Sequence, residues 1–312
     1  MLSLPDFKEK QLLFINGLSA EKDKIRFMND NVQLIENGKI KNQISCHKIF
    51  AIFIIGDCTI TSVLIRKCQL YGISLFLMRD NLLTYAKIIS LAEGNYLLRT
   101  KQYGLKNELQ IAKKIVQNKI TNQAFLLKKS KIDSNYLVDL IKKAGSAKDA
   151  KSLLGTEGIA SKFFFENFFK KMDWRRRTPR AKPDSINTLM DLGYIVLFNF
   201  IDSLLGIYGF DSYKGFYHKL FFQRKSLACD IMEPFRYIIE KQIIKSFNLK
   251  QINKKDFIIK QGRCEISYET QNKYLKCFSE AIMDEKEKIF LYVKEFYYFL
   301  INDDKFPILE LK

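Results

Sequence analysis

The sequence predicts an α+β protein: a small β-rich N-terminal domain over residues 1–92, followed by a larger, mostly α-helical domain over residues 93–312. Three observations lead there. Short apolar runs closed off by turn residues fill most of the first ninety positions. Beyond residue 95, apolar residues recur at three- and four-residue steps, the period of a helix with one buried face. The charge balance changes at the same place. Residues 1–94 hold 12 Lys and Arg against 9 Asp and Glu, so +15 of the formal net charge of +18 belongs to the remainder.

In the first domain, strands are expected at 11–16, 24–28, 32–36 and 40–46, bounded by Gly17, by Asn29-Asp30-Asn31 and by Asn37-Gly38. An Asn-Gly pair is a strong hairpin signal, because both residues accept the left-handed backbone of a two-residue turn. Residues 50–55 form an unbroken apolar run, the pattern of a strand buried on both faces. Residues 61–71 have helical spacing and 73–78 return to strand, so the domain is expected to carry one helix. In the second domain a helical region starts at 95–104, and 109–129 sets Ile111, Ile115, Ile120, Ala124 and Leu127 along one face. Further helices are expected at 138–143, 147–154, 159–172, 186–205, 226–246 and 280–299, with strand only at 257–260 and 263–268. The chain shows no internal repeat and no low-complexity linker.

A chain of 312 residues that is 47% hydrophobic, with 26 Phe and 15 Tyr, can fill a core, which excludes wholesale disorder. Its basic excess calls for a polyanionic partner, nucleic acid or an anionic surface. The six cysteines, at 46, 58, 68, 229, 264 and 277, include no Cys-x-x-Cys pair. That argues against a zinc ribbon or a disulfide framework and fits a reducing compartment. Residues 1–8 show no apolar signal core. The greasy runs at 49–55 and 194–210 are too short or are interrupted by Asn199 and Asp202. A cytoplasmic protein without a membrane span is expected.

Two constellations bear chemistry. The first is Gly155-Thr156-Glu157-Gly158, one carboxylate between two glycines, expected at the mouth of the apolar helix that follows. The second runs from Tyr217-His218 through Arg224-Lys225 to Asp230, Glu233, Pro234 and Arg236. Asp230 and Glu233 are three apart, so on a helix their carboxylates share a face. Pro234 does not suit a helix interior, so either a helix begins there or it is kinked there. Carboxylate oxygens suit Mg2+ or Mn2+, and an added imidazole shifts the preference toward Mn2+. Glu157, His218 and Glu233 can supply three ligands and leave positions open for water and a substrate phosphate. By default an acidic pair at this spacing is a solvated helix face, and a lone histidine is a packed or surface residue. Scarcity and setting weigh against that default here. The chain has only two histidines, and each of the three carboxylates interrupts apolar sequence, where an uncompensated charge is costly. His47 lacks such acidic neighbours and is read as structural.

The stretch 170–183 packs seven basic residues and two prolines into fourteen positions, so a loop is expected. Guanidinium groups match phosphate oxygens bidentately, and Trp174 can stack on an unpaired base. The candidate DNA contacts are Lys162, Trp174, Arg175, Arg176, Arg177, Arg180, Lys182, Asn187, Arg224, Lys225 and Arg236. A solvated basic loop is the competing reading. Gly-x-Ser-x-Gly, P-loop and Gly-x-Gly-x-x-Gly motifs are absent. None of the 15 tyrosines is marked as a nucleophile.

At these residues the chain resembles the CRISPR-associated adaptation endonuclease/integrase family. Residues 111–123 (IAKKIVQNKITNQ) resemble its "AK-IV-x-GK-I-x-NQ" helix, with Asn118 in place of the usual Gly. Residues 155–165 resemble its "G-x-EG-x-A" segment, with Phe164 where Tyr is frequent. Residues 177–194 resemble "D-x-x-N-x-L-x-x-GY", and 209–218 resemble "G-x-x-P…GF-x-H", with Ser212 for Pro. Residues 226–236 (SLACDIMEPFR) are very close to "SLA-x-D-x-M-E-x-F-R". The resemblance implies that Glu157, His218 and Glu233 are metal ligands, with Asp230 supporting or transiently sharing the site. It implies Mg2+ or Mn2+ as cofactor and a transesterification. In that reaction the 3′-hydroxyl of a captured double-stranded DNA fragment (the prespacer) attacks a phosphodiester at the boundary of a CRISPR repeat. It implies a homodimer formed through the β-rich domain and a small ferredoxin-like adaptation partner. Two rivals stand beside this reading: a metal-dependent nuclease of branched or repair DNA, and a non-catalytic basic scaffold that binds DNA.

Overall fold

The computed structural model describes every residue except 1–2, 17–22, 80–83, 90–94, 173, 175, 179–180, 220–221 and 312, and except the side chain of Tyr268. Gly17, Arg175 and Arg180 therefore lie outside the described residues. The chain forms two compact units: Met1–Asn95 with Asp202–Phe210, and Tyr96–Ile201 with Asp211–Lys312. The class is α+β, with strands gathered in the first unit and helices in the second.

The first unit opens with α1 (Leu4–Lys8), a single helical turn not foreseen from the sequence. The Ser3 hydroxyl caps it by accepting from the Asp6 amide at 3.3 Å, and buried Phe7 meets Phe50 edge-on, centroids 5.2 Å apart. Strands β1 (Gln11–Asn16), β2 (Lys24–Met28), β3 (Asn31–Glu36), β4 (Lys39–Ser45), β5 (Ile49–Ile55) and β6 (Thr59–Ile60) follow. Helix α2 (Ser62–Leu70), β7 (Ser74–Met78) and β8 (Thr84–Ile88) complete the run. One sheet has the order β1-β5-β7-β8, parallel except for β8; the other is β4-β3-β2-β6. All seven residues of β5 are buried, which is why its apolar run is unbroken. The β3–β4 turn sits at Asn37-Gly38 with φ of 49° and 78°, as the Asn-Gly pair predicts. Helix α2 links the parallel strands β5 and β7, and Thr61 caps it through the Leu64 amide at 3.2 Å. Its Leu64 and Cys68 join Ile25, Ile52, Ile54 and Leu75 in the core.

In the second unit, α3 (Tyr96–Gly104) precedes the long α4 (Glu108–Lys129), against which α5 (Asn135–Gly145) and α6 (Ala150–Phe168) pack. Helix α6 corrects an expectation: 147–154 and 159–172 are not two helices, and Glu157 is not at a helix mouth. Asp149 and Ser152 form a reciprocal N-cap, and the helix then runs unbroken through Gly155 and Gly158. Each glycine costs a helix interior about 1 kcal/mol. The buried face of Leu153, Ala160, Phe164, Phe165 and Phe168 outweighs that. Glu157 thus stands mid-helix.

Helix α7 (Ser185–Tyr208) is long and apolar enough to cross a membrane, yet 78% of its most apolar stretch is buried inside the protein, as in a core helix. Its last turns belong to the first unit, where Lys87 pairs with buried Asp202 at 2.8 Å. Helix α8 (Ser226–Met232) meets α9 (Tyr237–Asn248) through a single tight turn, Glu233–Phe235, so Pro234 kinks the helix rather than starting it. A hairpin, β9 (Phe257–Lys260) and β10 (Arg263–Ile266), follows. The C-terminal helix expected at 280–299 is in fact two, α10 (Tyr268–Asp284) and α11 (Lys286–Asn302), parted at Glu285 without a proline or glycine. The tail then returns to α4, where Asn118 exchanges two hydrogen bonds with the Leu309 backbone at 2.7 and 2.8 Å. An asparagine at 118 fastens this tail, a task a glycine could not perform.

Candidate metal centre and nucleic-acid interface

Four stretches of the second unit meet at one point: the middle of α4, the middle of α6, the turn 215–218, and the kink between α8 and α9. The turn is built around Asp230. Its buried carboxylate accepts the backbone amides of Phe216 at 2.6 Å, Tyr217 at 2.9 Å and His218 at 2.9 Å, and lies 2.7 Å from His218 Nδ1. Gly215 permits this approach: a β-carbon there would lie 2.7 Å from the Ser226 backbone and 2.8 Å from Asp230 Oδ2. An ionised carboxylate only accepts, so Nδ1 carries a proton, and in the neutral ring the lone pair is then on Nε2. Nε2 points to Glu233 Oε1, 3.9 Å away. Asp230 therefore orients the imidazole, as the carboxylate behind a metal-bound histidine does, and its own oxygens are already occupied.

Glu157 and Glu233 face each other across Lys119, whose ammonium pairs with Glu157 Oε1 and stands 2.8 Å from Glu233 Oε2. Ser161, one turn along α6, donates to Glu157 Oε1 at 2.7 Å. Arg236 holds Glu233 Oε1 at 2.9 Å and lies over the Tyr194 ring at 4.5 Å. Asn122, one turn beyond Lys119, donates to the Pro234 carbonyl at 2.8 Å and so pins the kink to α4.

Burial pushes both glutamates toward the neutral form, and neighbouring cations reverse that push. Burial raises Glu233, and the Arg236 guanidinium and Lys119 ammonium outweigh it and hold the carboxyl below the usual carboxylate range. Glu157 is held low by Lys119, against burial and the repulsion of Glu233. Lys119 is raised: burial works against its charge, but the two glutamates more than compensate. Behind them Glu240, fully buried and accepting from Tyr194 Oη at 2.8 Å, is pushed by burial from 4.5 up to about 7. The group is thus two ionised carboxylates and one imidazole, with Asp230 in support.

Do these residues fit Mg2+ or Mn2+? In kind they do, since two carboxylates and one nitrogen are a hard-cation set. Glu233 Oε2 is buried and has no aligned hydrogen-bond donor among the described residues, although Lys119 lies at ion-pair distance. Among the described residues no three such side chains are yet drawn into a coordination sphere, and the ammonium of Lys119 occupies the gap between the carboxylates. Sequence reasoning missed Lys119. It lies inside the quoted segment 111–123, but among Ile115, Val116 and Ile120 it reads as a helix residue reaching for solvent. The sequence places Tyr217 at the head of the second constellation but gives it no role; its ring meets His218 edge-on at 4.9 Å, and its hydroxyl is buried without a partner among the described residues.

The basic residues divide into two groups. Lys162, Arg176 and Arg224 are exposed, while Lys182 and Lys225 are half-buried, the latter over the Phe198 ring. Arg177, Asn187, Trp174 and Arg236 have partners inside the protein. Arg177 pairs with Asp191 and lies over Tyr194. Trp174 packs against Phe165 and Phe169 at 5.7 Å each. Asn187 corrects the expectation of a DNA contact: it is fully buried. It accepts from Arg177 at 3.0 Å and from the Thr178 amide at 2.8 Å, and donates to the Arg176 carbonyl at 3.0 Å. It shapes the basic loop from beneath.

Comparison with known proteins adds four findings. The family described as CRISPR associated protein Cas1 matches residues 18–280. CRISPR-associated endonuclease Cas1 1 of Thermodesulfovibrio yellowstonii is 26% identical over 254 residues, 75% of this chain and 80% of that one. Among solved structures, a casposase bound to an integration product superposes with a TM-score of 0.80 at 21% identity, covering 96% of this chain and 94% of its own. A partial Cas6-RT-Cas1–Cas2 complex gives a TM-score of 0.70 at 25% identity, covering 97% and 99%.

Proposed function

Since this chain belongs to the Cas1 family of CRISPR-associated proteins, we propose that it is a DNA endonuclease and integrase that inserts new spacer DNA into a CRISPR array. The observation that carries the reading is that Glu157 and Glu233, from separate stretches of chain, face each other across the Lys119 ammonium, while His218 Nε2 stands 3.9 Å from Glu233 Oε1. These three residues would hold Mg2+ or Mn2+. Such an ion activates a hydroxyl nucleophile and stabilises charge on the attacked phosphate.

The protein's own residues do the rest. Asp230 holds the His218 tautomer that leaves Nε2 free, Ser161 steadies Glu157, and Arg236 fixes the rotamer of Glu233. The 3′-oxygen of the incoming fragment bonds to phosphorus at the repeat boundary as the bond to the old 3′-oxygen breaks. That oxygen leaves with a proton, one phosphodiester replaces another, and no protein–DNA bond is needed. Exposed Lys162, Arg176 and Arg224, with Lys182 and Lys225, neutralise phosphates along the approach, in line with the charge excess beyond residue 94.

The double-stranded fragment with free 3′ ends and the repeat DNA are the substrates. The casposase neighbour, bound to its integration product, supports the joining role. The neighbour complexed with Cas2 supports a small ferredoxin-like adaptation partner. We assign the β-rich domain, residues 1–92, to homodimerisation and 93–312 to catalysis and DNA binding. The cytoplasm, with reduced thiols, is the setting.

A strand-transfer assay tests the reading. It supplies a short duplex with 3′-OH ends, supercoiled array DNA, the Cas2-type partner and Mn2+. Joined product from the wild type, and none from Glu157→Ala or Glu233→Ala, is expected. Product that survives both substitutions would defeat the metal-centre assignment. Cleavage without joining would favour a repair nuclease.

A further inference from the structure

Lys119 is a side chain at this centre that the proposed chemistry leaves without a task. It is also the best-placed cation there. Its ammonium joins two carboxylates that come from different parts of the chain, Glu157 on α6 and Glu233 at the kink. All three side chains are largely shielded, at 9%, 15% and 3% exposure for Lys119, Glu157 and Glu233. Two buried carboxylates facing each other repel unless a positive charge lies between them. Arg236 cannot fill that role alone, because it holds the outer oxygen of Glu233 and lies over Tyr194. Lys119 stands 2.8 Å from Glu233 Oε2, so a cation entering between the carboxylates competes with the ammonium for that oxygen.

From this arrangement we infer that Lys119 is an internal counter-cation. It holds Glu157 and Glu233 in register while no divalent ion is bound, and it competes with that ion for the same oxygens. A divalent ion entering between the carboxylates meets the ammonium at close range, and like charges at that distance exclude each other. Loading the centre therefore displaces the ammonium from the gap. Lys119 sets how much divalent cation the protein needs, and it keeps the unloaded centre from splaying. The inference rests on the reading that Glu157, His218 and Glu233 hold a divalent ion.

The test uses Mn2+ itself on the full chain, with bound and free ion separated by electron paramagnetic resonance. The variants are Lys119→Met, Lys119→Arg and, as a control for the centre, Glu233→Gln. Lys119→Met should bind Mn2+ about tenfold more tightly than the wild type. It should melt at a lower temperature without metal and regain that loss as Mn2+ is added. Lys119→Arg, which keeps the charge, should bind no more tightly than the wild type. A purely structural lysine predicts the opposite, because its loss would let the carboxylates drift and weaken binding. Equal or weaker binding by Lys119→Met, with wild-type binding sensitive to Glu233→Gln, overturns the inference and leaves the metal centre standing. Wild-type binding that ignores Glu233→Gln removes both. If Lys119→Met does not fold in either condition, the wild type decides. Reductive methylation read by mass spectrometry should label Lys119 several-fold more when Mn2+ saturates the protein, and unchanged labelling overturns the inference.

Discussion

At the scale of single residues, one carboxylate organises the centre without contributing a free ligand oxygen. Asp230 binds three consecutive amides and the His218 ring at once, so its removal loosens the turn and frees the imidazole to take the wrong tautomer. Asp230→Ala should lower Mn2+ affinity and strand transfer by about 10- to 100-fold, the usual cost of losing the group behind a liganding histidine. Titration of Mn2+ alongside the joining assay reads both effects. Glu240 makes a different prediction. Its carboxyl is raised from 4.5 to about 7 in the folded protein, so between those values the unfolded chain ionises while the folded one does not. Stability gained below pH 4.5 is therefore lost as pH rises toward 7, at about 1.4 kcal/mol for each unit of displacement. Glu240→Gln, neutral throughout, should show a flatter stability profile between pH 5 and 7 in urea melts. A wild-type profile that rises over this window, with the variant unchanged, would contradict the assignment.

At the scale of elements, the centre depends on close approaches that leave no slack. A methyl group at Gly215 would press on the Ser226 backbone and on Asp230. Gly215→Ala should cost about 1–3 kcal/mol in denaturant midpoints and carry the His218 turn away from Glu233. Asn122→Ala leaves the buried Pro234 carbonyl without its donor, which should also cost about 1–3 kcal/mol. Elements with a plain local code were legible in the sequence. The β5 run is apolar because both of its faces are buried, and the β3–β4 turn follows from Asn37-Gly38. Helix α6 was misread because two glycines look like a break, whereas packing of its phenylalanine face decides the matter. The parting of α10 from α11 at Glu285 has no local signal at all. Lys119 was hidden for the same reason, since only the fold reveals which carboxylates surround a lysine.

At the scale of the whole molecule, the charge excess predicts that DNA affinity falls steeply with salt, and exposed Arg176 and Arg224 are the residues proposed to set the slope. Arg224→Ala and Arg176→Ala should each reduce the slope of log affinity against log salt by about 1. Arg177→Ala should leave the slope alone and lower stability, because its guanidinium is committed to Asp191 and Asn187. Filter binding across a salt series, paired with thermal melts, separates the two behaviours. The central claim is that Glu157, His218 and Glu233, drawn together from α6, the 215–218 turn and the kink, make one metal site. Anomalous scattering from a crystal soaked in Mn2+ tests it most directly. The predicted result is one peak bounded by a Glu157 oxygen, His218 Nε2 and a Glu233 oxygen, each at about 2.1 Å, with Lys119 moved out of the gap. A peak elsewhere in the molecule, or none between these three side chains in a protein that still joins DNA, would contradict it.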